Sequence, residues 1–330
     1  MPAIAVCIVT HNSAADLRPC LDALEGQEGV ETEVVIADCA SSDETLTVAR
    51  QPPPGELSVT VLDLGENRGF AGGMNAAIAA CEAPYVLSLN ADTRPERDFL
   101  ARLLGRMEAH PERSIGAVTG RLYRPDSADG PRRLDACGMR LTRTWRHLDR
   151  GSDEVDEGQL STPERVFGAT GAATLYRREA LEDVAIDGEP FDPLFHSFRE
   201  DAELSFRLRE RGWEVVYEPS ARALHRRFNL PRRRREMPAM VNYHSLKNRY
   251  LLRLYHQTLG NALLTLLPAL TRDLMALAYA LLRERSSLAA YGWLWRRRRE
   301  ILDKARRIRR RRTRPAAEID RWFRHESLPL

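Results

Sequence analysis

The chain has 330 residues, of which 43% are hydrophobic and 29% charged. This length suits one large domain, or one domain with an appendage, and the composition excludes a disordered chain. The formal net charge of +3 is uneven, because residues 296–314 carry +10 while residues 1–295 carry about −6. The acidic main body lacks the charge of a nucleic-acid-binding domain.

The cysteines are scattered and contain no Cys-x-x-Cys pair. They are Cys7, Cys20, Cys39, Cys81 and Cys137. This pattern predicts buried, reduced thiols in a cytoplasmic protein. The chain starts directly with a strand-like run and shows no basic-then-apolar leader, so export is not expected.

The first 120 residues alternate apolar runs with helical segments. Strands are predicted at Ala3–Val9, Glu33–Ala37, Val59–Leu64, Tyr85–Leu89 and Gly116–Gly120. Helices are predicted at Ala14–Glu25, Asp43–Arg50, Gly72–Ala80 and Asp98–Ala109. This alternation predicts a doubly wound α/β sheet with helices on both faces.

Polar residues follow several of these strands. They are Thr10-His11-Asn12, Asp38, Asn67-Arg68 and Asn90-Ala91-Asp92. Because sheets of this class bind ligands at the carboxyl ends of their strands, we expect these residues to border a ligand cleft.

The second half of the chain is less regular. A polar excursion is predicted over residues 124–164, a strand over Val166–Tyr176 with glycines at 168 and 171, and a strand over Trp213–Tyr217 that ends before Pro219. From about residue 238 the chain is predicted to be helical, first apolar and then strongly basic.

An acidic segment precedes a helix predicted over Ala202–Arg211, with Gly212 as its stop. Asp201 then lies at or near the helix N-cap, where free amides and the helix dipole favour its ionised form. An ionised carboxylate beside a pocket is suited to general-base catalysis. The alternative is that Asp201 only caps the helix.

Other segments admit both a functional and a structural interpretation. Asp92 follows a strand and could hold a divalent cation, or could form a turn. The glycine-rich loop 67–75 could bring backbone amides to a phosphate, or be a plain strand-to-helix turn. It lacks the Gly-x-Gly-x-x-Gly fingerprint, which argues against a dehydrogenase. Asp38 could bind a base or ribose, and His225 a metal or phosphate, although each is a common structural residue.

Five blocks in order resemble family 2 glycosyltransferases with the GT-A fold, and most closely a bacterial rhamnosyltransferase-like branch. The blocks are Val-Thr-His-Asn (9–12), Ala-Asp-Cys-Ala-Ser-Ser-Asp (37–43), Asn-Arg-Gly-Phe-Ala-Gly-Gly (67–73), Leu-Asn-Ala-Asp (89–92) and Arg-Glu-Asp-Ala-Glu-Leu (199–204). The resemblance extends from about residue 3 to 226.

The resemblance implies a Rossmann-like mixed sheet flanked by helices, with a C-terminal helical extension. It implies a catalytic domain over residues 1–237, with a nucleotide-sugar half to about residue 120 and an acceptor half after it. Residues 238–330 would form the helical, basic extension.

The resemblance also implies roles for individual residues. Asp201 would be the general base, paired with Glu200, and Asp92 with His225 would bind Mg²⁺ or Mn²⁺. The implied nucleotide-binding residues are Thr10, Asn12, Asp38, Asn67, Gly73, Asn75 and Asn90. Three positions depart from the family pattern: Cys39 where Asn is common, Asn90 in place of a first carboxylate, and Glu203 in place of Asp. Sequence neighbours of Asp201 that we expect to shape the acceptor pocket are His196, Arg199 and Trp213.

The activity implied by the resemblance is inverting transfer from a nucleotide-diphosphate sugar to a glycan or lipid-linked acceptor. The first expected donor is dTDP-rhamnose, with UDP-sugars as the alternative, in cell-envelope or exopolysaccharide synthesis. The enzyme is expected in the cytoplasm, peripheral at the inner face of the membrane. The alternative is a protein that binds nucleic acid or an anionic surface through its Arg-rich tail, with a non-catalytic nucleotide-sugar domain.

The tail contains an uncharged run, Leu254–Thr271, which Arg272-Asp273 separates from Leu274–Leu282. This run is borderline in length for a membrane span, so we expect helices that pack on the domain or lie at the bilayer surface. Aromatic residues before the basic run favour an anionic lipid surface as partner. A solvated basic helix is the alternative.

Overall fold

The computed structural model describes residues 3–51, 53–110, 114–125, 131–227 and 238–330. The first strands are β1 (Ile4–Thr10), β2 (Thr32–Asp38), β3 (Ser58–Asp63), β4 (Tyr85–Asn90), β5 (Thr93–Pro95) and β6 (Ile115–Tyr123). The later strands are β7 (Leu134–Ala136), β8 (Met139–Leu141), β9 (His147–Asp149), β10 (Glu164–Val166), β11 (Ala173–Arg177), β12 (Glu214–His225) and β13 (Ser327–Pro329).

The helices alternate with the strands up to residue 211 and then dominate the chain. The first are α1 (Ala14–Glu25), α2 (Thr45–Ala49), α3 (Gly69–Ala79), α4 (Phe99–Glu108), α5 (Arg178–Val184) and α6 (Glu200–Arg211). The C-terminal ones are α7 (Ala239–His256), α8 (Leu259–Arg283), α9 (Ala289–Arg296), α10 (Arg298–Arg311) and α11 (Ala316–Asp320).

Eleven strands of the described ranges form one mixed sheet, whose central order is β13-β10-β12-β6-β11-β4-β1-β2-β3. Strands β1 to β4 are parallel where they pair, β12 runs parallel to β6, and β11 runs antiparallel to both of its neighbours. The mixed sheet with flanking helices confirms the predicted fold class. Because β1, β2, β4 and β12 point the same way, their carboxyl ends lie at one edge.

The strand β1 shows why the sheet is buried on both faces. Its side chains alternate, so that Ile4, Val6 and Ile8 pack with α1 and α4 on one side. Ala5 and Cys7 pack with α3 and α6 on the other side. All five cysteines are free and buried, as the sequence predicts.

The predicted strand Val166–Tyr176 is wrong in its continuity, because the structure divides it between two places in the sheet. Strand β10 pairs with β12 near the sheet edge, whereas β11 lies between β4 and β6. The chain between them must pass close to α6, and a Cβ on Gly168 would lie 2.5 Å from Oγ of Ser205. The polar excursion predicted before it also contains the short strands β7, β8 and β9.

The strand predicted to end before Pro219 continues to His225 as β12. A register shift between Tyr217 and Arg222 accommodates the proline, which cannot donate a ladder hydrogen bond. This continuation carries His225 to the same edge of the sheet as the ends of β1 and β4.

The C-terminal helices share a core with the rest of the chain. Side chains of α7 and α10, such as Leu251, Tyr255 and Ile308, pack with Phe167 and Phe206. Strand β13 pairs with β10 and extends the sheet. The predicted domain boundary after residue 237 falls at residues outside the described ranges and stays a prediction.

Within the described residues, one helix, α8, is long and apolar enough to cross a membrane by length and composition. One side of α8 contacts the domain: Trp145 Nε1 donates to Thr265 Oγ1 at 2.9 Å. Asp273 of the same helix forms ion pairs with Arg249 and Arg253 of α7, each at 2.8 Å.

Candidate functional site

The loop before α6 has an unusual backbone. Three non-glycine residues adopt left-handed conformations, namely His196, Phe198 and Arg199, with φ angles of 63°, 71° and 73°. Each such conformation costs about 1–3 kcal/mol and persists only where its surroundings fix it. We call residues 195–199 the base loop, because it delivers Glu200 and Asp201 to the start of α6.

Asn248 of α7 fixes the base loop. Its side-chain Nδ2 lies within hydrogen-bond distance of three loop carbonyl oxygens, those of Phe195, Ser197 and Phe198, at 2.8, 2.8 and 2.6 Å. Asn248 is fully buried, so these contacts replace water at otherwise exposed carbonyls. Asn248 belongs to the predicted C-terminal extension, and its local sequence gives no sign of this contact.

The glycine-rich loop contacts the base loop from the other side. The amide of Ala71 donates to the carbonyl of His196 at 2.9 Å, and the amide of Phe70 donates to Ser197 Oγ at 3.1 Å. Gly69 has a φ of 67°, and a Cβ there would lie 2.4 Å from the His196 ring. The amides predicted to approach a phosphate therefore hold the base loop in this structure.

Asp201 is the second residue of α6 and lines a cleft of about 380 Å³. Burial raises the pKa of its carboxyl to about 6, although hydrogen bonds from the backbone amides of Gly171 and Ala202 oppose the rise. A carboxylate that is ionised at neutral pH, but only just, can accept a proton efficiently.

Glu200 has a different environment. It is buried, and its Oε2 atom has no hydrogen-bond partner among the described residues. Burial and the neighbouring Asp201 charge raise the pKa of Glu200 well above its usual value. The adjacent carboxyl groups therefore differ, because burial disfavours the ionised form of Glu200 more strongly than that of Asp201, which accepts two backbone hydrogen bonds.

Three predicted residues also line this cleft and form one wall of it: Asn90, Asp92 and His225. His225 Nε2 lies 3.3 Å from Asp92 Oδ1 and 3.5 Å from Asn90 Nδ2. Strands β4 and β12 bring together these residues, which are separated by more than 130 positions in the chain.

Asp135 orients His225, and the sequence gave no signal for it. His225 Nδ1 lies 2.7 Å from Asp135 Oδ2, and Asp135 also pairs with Arg124 and Arg227. Burial lowers the pKa of His225, but its contacts with Asp135 and Asp92 prevail and raise it to about 9. The lack of any motif around residue 135, in the polar excursion, explains why it was missed.

The described residues contain no group of three or more His, Cys, Asp or Glu side chains arranged to hold a metal ion. Asp92 would supply one donor at the cleft wall and His225 a second, once a cation displaces the proton on its Nε2; the other histidine nitrogen contacts a carboxylate, as is usual for metal-binding histidines. Magnesium ions are commonly held by one or two protein ligands together with substrate phosphates. The donor set therefore fits a cation that a diphosphate completes.

A second cavity, of about 330 Å³, adjoins the cleft and shares Phe70, Ser197 and Phe198 with it. Thr10 and Asn67 line this cavity, as does His196, whose ring stacks on that of His244 of α7 at 4.7 Å. Asn12 is exposed nearby on the chain, and its Oδ1 accepts from the amide of Ser42 at 2.8 Å.

Three other residues assigned to nucleotide binding lie behind the cavity walls. Asp38 is fully buried and accepts hydrogen bonds from Thr10 and Ser41. Asn75 exchanges two hydrogen bonds with the backbone of Phe191. A Cβ on Gly73 would lie 2.7 Å from Val9, so this glycine lets α3 approach β1 closely. These three residues do not line the cleft, because the polar atoms of Asp38 and Asn75 bind other protein groups and Gly73 packs against Val9.

Two further residues near Asp201 in sequence, Trp213 and Glu203, make structural contacts and do not line the cleft. Trp213 follows the far end of α6, where its Nε1 donates to Asp183 at 2.8 Å, so it does not shape the cleft around Asp201. Glu203 is fully buried and pairs with Arg207 and His256, which links α6 to α7. Arg199, by contrast, lines the cleft.

Comparison with known proteins agrees with this architecture. The chain is 28% identical over 222 residues to the pre-mycofactocin glycosyltransferase of Mycobacterium tuberculosis, which covers 67% of this chain and 42% of that protein. The chain thus spans less than half the length of this curated relative.

Two solved structures share the fold at low sequence identity. The mannosyltransferase PcManGT from Pyrobaculum calidifontis, in complex with GDP-Man and Mn²⁺, has a TM-score of 0.53 at 19% identity, covering 96% of this chain and 85% of that one. S. aureus TarS 1–349 in complex with UDP-GlcNAc has a TM-score of 0.54 at 16% identity, covering 97% and 90%. The sequence profile of glycosyl transferase family 2 matches residues 5–185, more than half of the chain, and the protein therefore belongs to that family.

Proposed function

We propose that the protein transfers a sugar from a nucleotide-diphosphate donor to an acceptor hydroxyl, with inversion at the anomeric carbon. The observation that carries this proposal is the position of Asp201, which lines the same cleft as Asn90, Asp92 and His225 and whose pKa burial raises to about 6. Family membership and the nucleotide-bound complexes of the two structural neighbours support it.

The donor nucleoside would occupy the cavity lined by Thr10 and Asn67, and its diphosphate would reach the wall formed by Asp92 and His225. These two residues would hold Mg²⁺ or Mn²⁺, and the complex of PcManGT with Mn²⁺ supports such a site. When bound, the ion neutralises charge on the leaving nucleoside diphosphate.

Asp201 would take the proton of the acceptor hydroxyl as its oxygen attacks the anomeric carbon from the face opposite the leaving group. One displacement of this kind inverts the configuration. Burial raises the pKa of Glu200 beside Asp201, which disfavours a second negative charge next to the base. Phe198 and Arg199 would border the acceptor, because they line the cleft beside the base.

The finer assignments also remain proposals. dTDP-rhamnose is the first candidate donor, by resemblance to the rhamnosyltransferase-like branch, with UDP-sugars as the alternative. The acceptor would be a glycan or a lipid-linked sugar of the cell envelope or an exopolysaccharide, reached at the inner face of the membrane by a peripheral enzyme.

The alternative function through the Arg-rich tail has less support. Helix α10 is folded onto the domain, with Ile301, Ala305 and Ile308 buried. Several of its cations pair internally, including Lys304 with Asp192 and Arg307 with Asp187. A segment engaged in this way presents fewer free cations to nucleic-acid phosphates.

Thermal stabilisation tests the proposed function. Purified protein would be titrated with dTDP-rhamnose, UDP-sugars and GDP-mannose, with and without Mg²⁺ or Mn²⁺. Occupancy at a hundredfold over Kd adds about 2.7 kcal/mol to the free energy of unfolding. We expect one donor to stabilise the protein, more strongly with metal. A folded sample that no nucleotide sugar stabilises would contradict the proposal.

A further inference from the structure

Another cavity, of about 370 Å³, lies at the end of α6 that is remote from Asp201 and is lined in part by Gly212. Strand β12 begins at this cavity with Glu214 and ends at the cleft with His225, so the two sites lie at opposite edges of the sheet. We call it the arginine cavity, because four arginines line it: Arg165, Arg209, Arg314 and Arg321.

Arg209 of α6 is the most buried cation of the arginine cavity. Its side chain is 6% exposed, and its guanidinium lies 4.5 Å from the centre of the Trp322 ring. Its Nε donates to the carbonyl of Phe167 at 3.2 Å, and its Nη2 donates to the carbonyls of Val166 and Val215. No described residue accepts a hydrogen bond from its Nη1 atom, so that nitrogen is left for a ligand in the cavity.

Arg321 and Arg314 reach the cavity from the C-terminal segment. The guanidinium of Arg321 lies 5.5 Å from the centre of the Trp322 ring, which Arg209 also contacts. Arg314 crosses the end of α6, where a Cβ on Gly212 would lie only 2.6 Å from its Nε. Neither guanidinium forms an ion pair or a hydrogen bond within the described ranges, and the Nε of Arg321 is buried without a partner.

The positive charge of the arginine cavity is only partly balanced. The carboxylates that line it are Glu214, which pairs with Arg165 at 3.1 Å, and Glu318. Four guanidinium groups therefore meet two carboxylates, which leaves a net charge of +2. Burial lowers the pKa of Arg209 to about 9; Glu214 opposes this change, and the positive charges of Arg321 and Arg165 reinforce it. An anion in the cavity would remove the excess charge.

The composition of the cavity favours a phosphate that carries an uncharged group. Each planar guanidinium can donate two parallel hydrogen bonds to a phosphate, and such charge-assisted bonds are about twice as strong as neutral ones. A volume of about 370 Å³ lies within the range of small-molecule sites, so the cavity also admits a group attached to the phosphate. The carboxylates Glu214 and Glu318 can accept hydrogen bonds from hydroxyl groups, but they would repel a second anion.

We propose that the arginine cavity binds a sugar phosphate, whose phosphate contacts Arg209, Arg314 and Arg321 and whose hydroxyl groups contact the two glutamates. The site goes beyond the proposed transfer reaction, because Asp201 lies at the other end of α6 and does not line this cavity. The inference therefore stands or falls independently of the proposed function.

Isothermal titration calorimetry of the full chain tests the inference, with EDTA present so that no cation links a phosphate to Asp92. The probes are glucose 1-phosphate, glucose 6-phosphate, inorganic phosphate and glucose, at constant ionic strength. We expect one saturable site for at least one sugar phosphate, about tenfold weaker binding of inorganic phosphate, and no binding of glucose. The inference is overturned if neither sugar phosphate binds saturably, or if inorganic phosphate or glucose binds as tightly.

The double variant Arg314→Gln/Arg321→Gln assigns the binding to the arginine cavity. Each substitution removes a charged donor and should weaken binding of the sugar phosphate about tenfold. Because neither guanidinium has a partner among the described residues, urea unfolding without ligand should show an unchanged free energy of unfolding. The matched control Arg324→Gln, at an exposed arginine that does not line the cavity, should bind the sugar phosphate as the wild type does.

These measurements separate ligand binding from a structural role of the arginines. Cations near the C-terminal end of a helix stabilise it through the helix dipole. If the arginines served only α6, the double variant would unfold more easily and bind the sugar phosphate as the wild type does, which would overturn the inference. Asp92→Asn, in the proposed donor site, should leave sugar phosphate binding unchanged. A loss of binding in that variant would place the ligand in the catalytic cleft and overturn the inference as well.

Discussion

The sheet edge and the C-terminal helices differ in how well the local sequence predicts where their charged residues lie. At the sheet edge, Asn90 and His225 end the strands β4 and β12, Asp92 follows β4, and all three line a cleft. In the basic C-terminal segment, the dense positive charge favours an anionic lipid surface as partner, with a solvated helix as the alternative. Helix α10 instead packs on the domain, where Lys304 pairs with Asp192 and Arg312 with Glu210. Net charge of a segment therefore does not reveal whether the segment is folded.

The largest predicted effect is that of a substitution at the sheet edge on turnover. Asp201→Asn removes the proton acceptor while keeping the side-chain shape, so kcat should fall about 10²–10⁴-fold. Stabilisation by the donor should be retained, because the residues proposed to bind the donor, such as Thr10, Asn67 and Asp92, are unchanged in this variant. Turnover of the donor with a lipid-linked acceptor measures the effect.

The control for that variant is Asp22→Asn, an exposed aspartate on α1, which should leave kcat unchanged. Wild-type turnover in the Asp201→Asn protein would remove Asp201 from the catalytic role and leave it as a helix-terminal residue.

The second prediction tests whether α10 is part of the core. Lys304→Ala leaves the buried Asp192 carboxylate without its cation, although Tyr255 still donates to it. Loss of one partner of a buried pair costs about 3 kcal/mol. Urea unfolding would measure this, with Arg310→Ala on the exposed side of α10 as control, expected within about 0.5 kcal/mol of wild type. Equal small effects of both variants would mean that the basic helix is a solvated tail after all.

The third prediction links the two regions. Asn248→Ala removes the side-chain donor shared by three carbonyls of the base loop and should lower the free energy of unfolding by about 2 kcal/mol. The kcat should fall as well, because Asp201 is no longer held at the cleft. Gln257→Ala, just after α7, serves as the control. An Asn248→Ala enzyme with unchanged kcat would show that the base loop is fixed without α7.

The smallest predicted effect is the response of the sheet edge to pH. Because burial raises the pKa of Asp201 to about 6, its ionised form dominates above that pH. We expect kcat/KM to fall about tenfold per pH unit below 6 and to level off above it. A profile that is flat from pH 5 to 8 would indicate that proton removal by Asp201 does not limit the reaction.

The sequence allowed the fold class and much of the cleft to be predicted, because strand ends and the acidic helix have local signatures. It failed at β12, where a bulge carries the strand past Pro219. The polar atoms of Asp38 and Asn75 bind protein groups, which the sequence did not indicate, and their assignment to the nucleotide stays a prediction. The roles of Asp135 and Asn248 could not be predicted, because each depends on a partner that is distant in sequence. Asp135 contacts His225, 90 positions away, and Asn248 contacts Phe198, 50 positions away. The buried face of α10 does have a sequence signal, because Ile301, Ala305 and Ile308 recur at helical spacing. The many arginines between them lower the average hydrophobicity of the segment and make this signal weak.

Helix α7 contacts three parts of the molecule at once. Asn248 binds the base loop, His244 borders the proposed nucleotide cavity, and Arg249 with Arg253 pairs with Asp273 of α8. A movement of α7 would therefore change its contacts with both the base loop and α8. By thermodynamic reciprocity, any membrane contact that shifts α7 toward its donor-bound position must be strengthened by donor to the same degree. Contacts on the two sides of α7 would therefore be coupled with equal strength in both directions.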